Sequence, residues 1–96
     1  MSPINKKRLN LLRIKLDRLD TDLLKLIKKR SNLVNDVLKV KIHKKEIIDQ
    51  KRINFILKEI KNKSIQLNVD PKITNRIWKN MIWSFIDYEK RNFKKK

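Results

Sequence analysis

The sequence predicts an all-α fold of three helices, one long and N-terminal and two shorter, and three observations carry that expectation. Glycine is absent and proline occurs only at Pro3 and Pro71. The tight turns of a many-stranded β-sandwich, a P-loop and a glycine-rich dinucleotide loop therefore lack their enabling residue. Leu9, Leu12, Leu16, Leu19, Leu23, Leu26, Leu33, Val37 and Val40 recur with 3-4 spacing, the seam of a helix packed lengthwise on others. Finally, Asp70-Pro71 pairs an N-cap carboxylate with a proline at the first helical position, where its missing N–H costs nothing.

The first helix is placed at about residues 6–42. At 1.5 Å per residue it would be about 55 Å long, whereas a globule of 96 residues would be about 25–30 Å across. Such a helix overhangs its own domain, so the expected architecture is an intertwined homodimer. His43-Lys44-Lys45-Glu46 breaks the periodicity and reads as a loop. A second helix is placed at about 49–66, with Ile53, Ile56, Leu57, Ile60 and Ile65 on one side. The third is placed at about 71–92, burying Ile73, Ile77, Met81, Ile82, Phe85 and Ile86. Lys94-Lys95-Lys96 reads as a frayed tail. The whole of 1–96 is expected to be a single domain.

Composition narrows the chemistry. There is no cysteine and one histidine, His43, so thiol catalysis, a disulfide scaffold, a multi-histidine metal site and a Ser-His-Asp triad are not expected. No metal or cofactor is anticipated. No apolar run approaches the roughly 18 residues of a membrane span, and an intracellular, cytoplasmic location is expected. The 27 Lys and Arg against 10 Asp and Glu give a net charge of +17, which points to an anionic partner. Lys, Ile and Asn together make 44 of the 96 residues, a skew that a coding bias toward A and T also produces.

The informative charges are those that interrupt apolar rows. Arg30 stands in the row Leu23, Leu26, Arg30, Leu33, Val37. It either snorkels out or pairs with an acid, or it lines a pocket. Lys41 lies eleven residues on, three turns plus about 20°, and so shares the face of Arg30 at a Cα separation of roughly 16 Å. Two long side chains can span that gap across a small molecule. Arg13 is about 25 Å from Arg30 along the helix and could reach the same pocket only from a second subunit. On the third helix Trp78, Ile82, Phe85 and Glu89 continue an apolar row into a carboxylic acid. Glu89 is either the partner of a lysine or arginine, or an acid held in a cationic, desolvated pocket.

These residues resemble the AroQ-type, all-helical chorismate mutases over nearly the whole chain. The ordered set is Leu12-Arg13-x-x-Leu16-Asp17-x-Leu19-Asp20, Leu23-Leu24-x-Leu26-Ile27-x-x-Arg30, Val37-x-x-x-Lys41, Ile48-Asp49-x-x-Arg52 and Val69-Asp70-Pro71. The resemblance implies an intertwined homodimer with two equivalent active sites, each completed by an arginine of the partner's long helix. It implies that Arg13 from the partner and Arg30 clamp the carboxylates of chorismate, and that Lys41 contacts a carboxylate and the ether oxygen of the breaking bond. Asp49 and Arg52 would shape the pocket near the ring hydroxyl, and Glu89 would face the ether oxygen. Arg30, Lys41 and Glu89 are thus the expected catalytic set, and the substrate is expected to be bound by Arg13, Arg30, Lys41, Asp49, Arg52 and Phe85.

A pericyclic rearrangement needs no nucleophile, metal or proton transfer. It gains from holding the dianion in its reactive conformer and from cations opposing charge that grows on the ether oxygen. Two positions depart from the family pattern: Ile53 stands where many members have glutamate, and Phe85 where the family often has serine. Both resemble the isochorismate-pyruvate lyases that share this fold, which makes that activity the alternative. A basic helical dimer binding nucleic acid is the non-enzyme alternative. It would require the lysines to gather on one outward face, whereas in the sequence they spread over all three helices. Trp78 and Trp83 are expected in the core and pocket wall.

Overall fold

The computed structural model describes residues 2–94. Its elements are α1 (Pro3–Val40), a 3-10 turn (Lys44–Ile47), α2 (Gln50–Gln66) and α3 (Pro71–Asn92), so the all-α expectation holds. Each helix begins on a side-chain cap. Ser2 Oγ accepts from the Asn5 amide at 3.2 Å, Asp49 Oδ1 from the Arg52 amide at 3.0 Å and Asp70 Oδ1 from the Lys72 amide at 2.9 Å. Each bond satisfies one of the four amides that a helix start leaves without a partner. The start of α1 lies three residues before the expected one because Ser2-Pro3 uses the same cap-then-proline device as Asp70-Pro71. The loop expected at 43–46 is instead a short 3-10 helix. Of the tail expected at 94–96, Lys94 is exposed and the last two residues lie outside the described residues.

In a chain without glycine, α2 closes on asparagine. Asn68 takes φ 55°, the left-handed conformation that asparagine tolerates better than most residues. The Val69 amide then donates to the Ser64 carbonyl at 2.8 Å and the Asn68 amide to the Ile65 carbonyl at 3.2 Å, the paired bonds of a Schellman closure. Asn68→Val puts a β-branched side chain into that conformation. It should lower the urea midpoint by the equivalent of about 1–2 kcal/mol, while Asn68→Gly should hold or raise it.

The chain divides into two compact units, the first ending at Leu33 and the second beginning at Val34. The first consists of helix alone. Its row Leu12, Leu16, Leu19, Leu23 and Leu26 is helical as expected, yet each of the five side chains is more than half exposed. A single helix has nothing on which to bury its own apolar stripe.

The second unit holds the core. Leu38 from the end of α1, Ile47 from the 3-10 turn, Ile53 from α2 and Ile82 and Ile86 from α3 are buried together, with Ile56, Leu57 and Phe93 packed against them. Across the α2–α3 hairpin, the hydroxyls of Ser64 and Thr74 lie 2.7 Å apart, and Ser64 also donates to the Ile60 carbonyl at 2.6 Å. Several expected core residues are not buried. Ile73 and Ile77 are 56% and 51% exposed, and Ile65 of α2 is exposed too. Trp83 is exposed rather than in a core or pocket wall, while Trp78 is half-buried as the row Trp78, Ile82, Phe85 requires. The physical reason is angular: Ile73 and Ile77 lie about 140–180° around α3 from Ile82, off the strip that faces α2.

Candidate functional site: a desolvated lysine–glutamate pair

Lys41 follows the last turn of α1, its amide donating to the Leu38 carbonyl at 3.2 Å. The chain then turns sharply. The Ile42 amide donates to Glu46 Oε2 at 3.0 Å, and Ile47, only 3% exposed, anchors the 3-10 turn in the core. These contacts direct the Lys41 side chain onto the C-terminal part of α3. There Glu89 follows Ile82 and Ile86 on the buried strip and is itself buried.

The two side chains meet. Lys41 Nζ donates to Glu89 Oε2 at 2.9 Å, with side-chain exposures of 17% and 9%. Two other ion pairs, Lys39–Asp36 and Arg91–Asp87, join exposed neighbours on one helix. Such pairs contribute little, about 0–1 kcal/mol. The Lys41–Glu89 pair differs in kind. Desolvating two charges costs several kcal/mol per ion, and their attraction repays that only in part, so a buried pair is poor at stabilising a fold. What it supplies is an ammonium group and a carboxyl held at fixed positions in a low-dielectric setting, where each acts more strongly on a bound charge than it would in water.

The other expected site residues fare differently. Arg30 is half-buried and its Nη1 is withdrawn from solvent, so its guanidinium does not stand in bulk water. Arg13 is exposed, and both arginines belong to the first unit. Phe85 is half-buried one turn before Glu89. Asp49 is exposed and its carboxylate is engaged as the α2 cap. Arg52 is exposed and lies 5.3 Å from the centroid of the Phe55 ring, a cation–π contact one turn along its own helix. The second unit thus brings Lys41 and Glu89 together, and does not add Asp49 or Arg52 to their bond. Two supporting residues, Glu46 and Ile47, carry almost no signal in the sequence. The only hint was an apolar pair, Ile47-Ile48, inside a segment that otherwise reads as a loop.

The fold and this pair define the class: an all-helical domain whose buried polar centre is an ammonium–carboxyl pair at the junction of a long helix and the last one. The chain belongs to the chorismate mutase type II family, whose model matches residues 12–90. No curated protein and no solved structure matches the chain. The matched span takes in Arg13, Arg30, Lys41, Asp49, Arg52, Phe85 and Glu89. The family is one of isomerases, and no helix among the described residues is long and apolar enough to cross a membrane.

Proposed function

We propose that the protein is a chorismate mutase that rearranges chorismate to prephenate within aromatic amino acid biosynthesis, acting as a cytoplasmic homodimer of single-domain chains, 1–96, without a cofactor. The observation that carries the reading is the desolvated Lys41–Glu89 pair inside a span matched by the family model. In the reaction one C–O bond breaks and one C–C bond forms within a single molecule, so atoms balance without a co-reactant. The work left to the protein is to hold a flexible dianion folded and to oppose the negative charge that develops on the ether oxygen.

In this reading Arg30 takes one carboxylate bidentately, and Arg13 of the partner subunit takes the other. Lys41 directs its ammonium at a carboxylate and the ether oxygen. Asp49 and Arg52 border the ring side of the pocket, and Phe85 forms its wall. The homodimer is supported by the row Leu12, Leu16, Leu19, Leu23 and Leu26, which one chain leaves exposed and which a second copy would cover.

Glu89 holds the Lys41 ammonium through their 2.9 Å bond and in this reading faces the ether oxygen. Glu89→Gln keeps a side chain that can donate a hydrogen bond there and removes an acid that would oppose the growing negative charge, so kcat/KM should hold or rise. A Glu89→Ala variant as active as the parent protein would remove this residue from the mechanism.

The direct test incubates the purified protein with chorismate and with isochorismate separately, assaying prephenate in the first and salicylate with pyruvate in the second. Prephenate from chorismate is the expected result. Salicylate and pyruvate without prephenate would replace the mutase reading with the lyase one, which Ile53 and Phe85 favour.

A further inference from the structure

The solvent side of α3 is sorted into two faces. Taking 100° per residue, Lys72, Arg76, Lys79, Trp83 and Lys90 fall within about 60° of one another. Ile73 and Ile77 fall on a different face, about a third of a turn away. The sequence scatters its lysines over all three helices, but on α3 the basic residues other than Arg91 share that one strip. Trp83 sits in the strip at 49% exposure. Across the α2–α3 hairpin, Lys58 and Lys61 join Lys72 around a hollow of about 470 Å3 floored by Leu57 and Pro71.

None of these six cations has an acid for a partner among the described residues. Two acids that flank the strip on α3 are already engaged: Asp70 caps α3, and Asp87 accepts from Arg91 Nε at 3.0 Å. A field of unmatched positive charge about 27 Å long, with an exposed indole in its middle, has the two features by which a surface holds a single nucleic-acid strand. Cations track the phosphates, and an aromatic face stacks a base. Glu89 lies about 100° around α3 from the strip, on the buried side, so the two sites do not compete for residues.

We propose that this face of α2 and α3, through Lys58, Lys61, Lys72, Arg76, Lys79, Trp83 and Lys90, binds single-stranded nucleic acid as a function separate from the mutase site. The probe is a fluorescently labelled uridine oligonucleotide of about 12 nucleotides, titrated with the full-length protein at physiological salt and at higher salt. Because any strongly basic protein attracts polyanions, the decisive comparison is between two variants of equal net charge. One carries Lys72→Gln, Arg76→Gln and Lys79→Gln; the other carries Lys6→Gln, Lys15→Gln and Lys25→Gln on α1.

The first variant should lose affinity by about tenfold or more and flatten the salt slope by about 2. The second should lose less than about threefold. Trp83→Ala should weaken binding about fivefold or more, and Trp83→Phe should abolish quenching of tryptophan fluorescence by the oligonucleotide while leaving it bound. Mutase activity should be unchanged in all four variants, which also reports that they are folded.

Equal losses in the two triple variants would overturn the proposal, since the net charge alone would then explain binding. So would an intact affinity in Trp83→Ala with inorganic polyphosphate competing as well as the oligonucleotide, which would mark a bare cationic patch. Binding to phosphatidylserine vesicles without binding to the oligonucleotide would assign the face to a membrane surface instead.

Discussion

Lys41→Met should lower kcat/KM for chorismate by about 10²–10³-fold, the usual cost of removing one preorganised donor from a site of developing charge. The loss should fall mainly on kcat if the ammonium acts on the ether oxygen, and on KM if it serves only as a carboxylate anchor. The same substitution has a second, separable effect. It leaves Glu89, whose side chain is 9% exposed, without its counter-charge, and stranding one partner of a buried pair costs about 3–5 kcal/mol.

Adding Glu89→Gln to Lys41→Met removes the stranded charge. The double variant should recover most of the lost stability in urea titration and none of the lost rate. Recovery of both would show that Lys41 serves only to neutralise Glu89. A single variant as active as the parent protein would remove Lys41 from the site altogether.

Mixing two inactive variants should restore activity. In the proposed shared site an Arg13→Ala homodimer would lack the guanidinium in both copies, and a Lys41→Met homodimer would lack the ammonium in both. In the mixed dimer one site would take Lys41 from the first chain and Arg13 from the second, and so would be complete. Random exchange of equal amounts should yield about a quarter of the parent activity per chain, because half the dimers are mixed and each has one good site. No restoration after exchange, verified by mass, would refute a shared site. Leu16→Asp with Leu23→Asp should prevent assembly and abolish activity together, since both side chains lie in the exposed row of α1 and burying two unpaired carboxylates at an interface is strongly unfavourable.

The starts and stops of the helices were the most legible part of the chain, because local chemistry determines them. Asp70-Pro71 appears in the structure as the expected cap and α3 spans the expected 71–92, whereas Asp49, read as a pocket residue, serves as the cap of α2. Ser2-Pro3 carried the same signal and shows that a cap should be sought before the first apolar repeat. Lys41 and Glu89 were legible for different reasons, Lys41 as a second cation on the face of Arg30 and Glu89 as an acid in an apolar row, and the structure joins them.

What periodicity could not supply was the identity of the neighbour. Ile73 and Ile77 fit a helical apolar row as well as Ile82 and Ile86 do, yet only the second pair meets the core of its own chain. A row destined for another surface and a row destined for the interior have the same spacing. The 3-10 turn was likewise hidden, since its shape comes from Glu46 reaching the Ile42 amide and from Ile47 finding the core, both contacts across the fold rather than along it.

Ile53 has a consequence for how this position can change. Its side chain is 6% exposed and sits with Leu38, Ile47, Ile82 and Ile86, so exchange there is asymmetric. An acid traded for isoleucine would relieve a desolvated charge and gain dispersion contacts. The reverse trade would strand a carboxylate in hydrocarbon at a cost of several kcal/mol, a large share of what so small a domain has to lose. A glutamate at position 53 would therefore fit only if the four aliphatic neighbours changed with it.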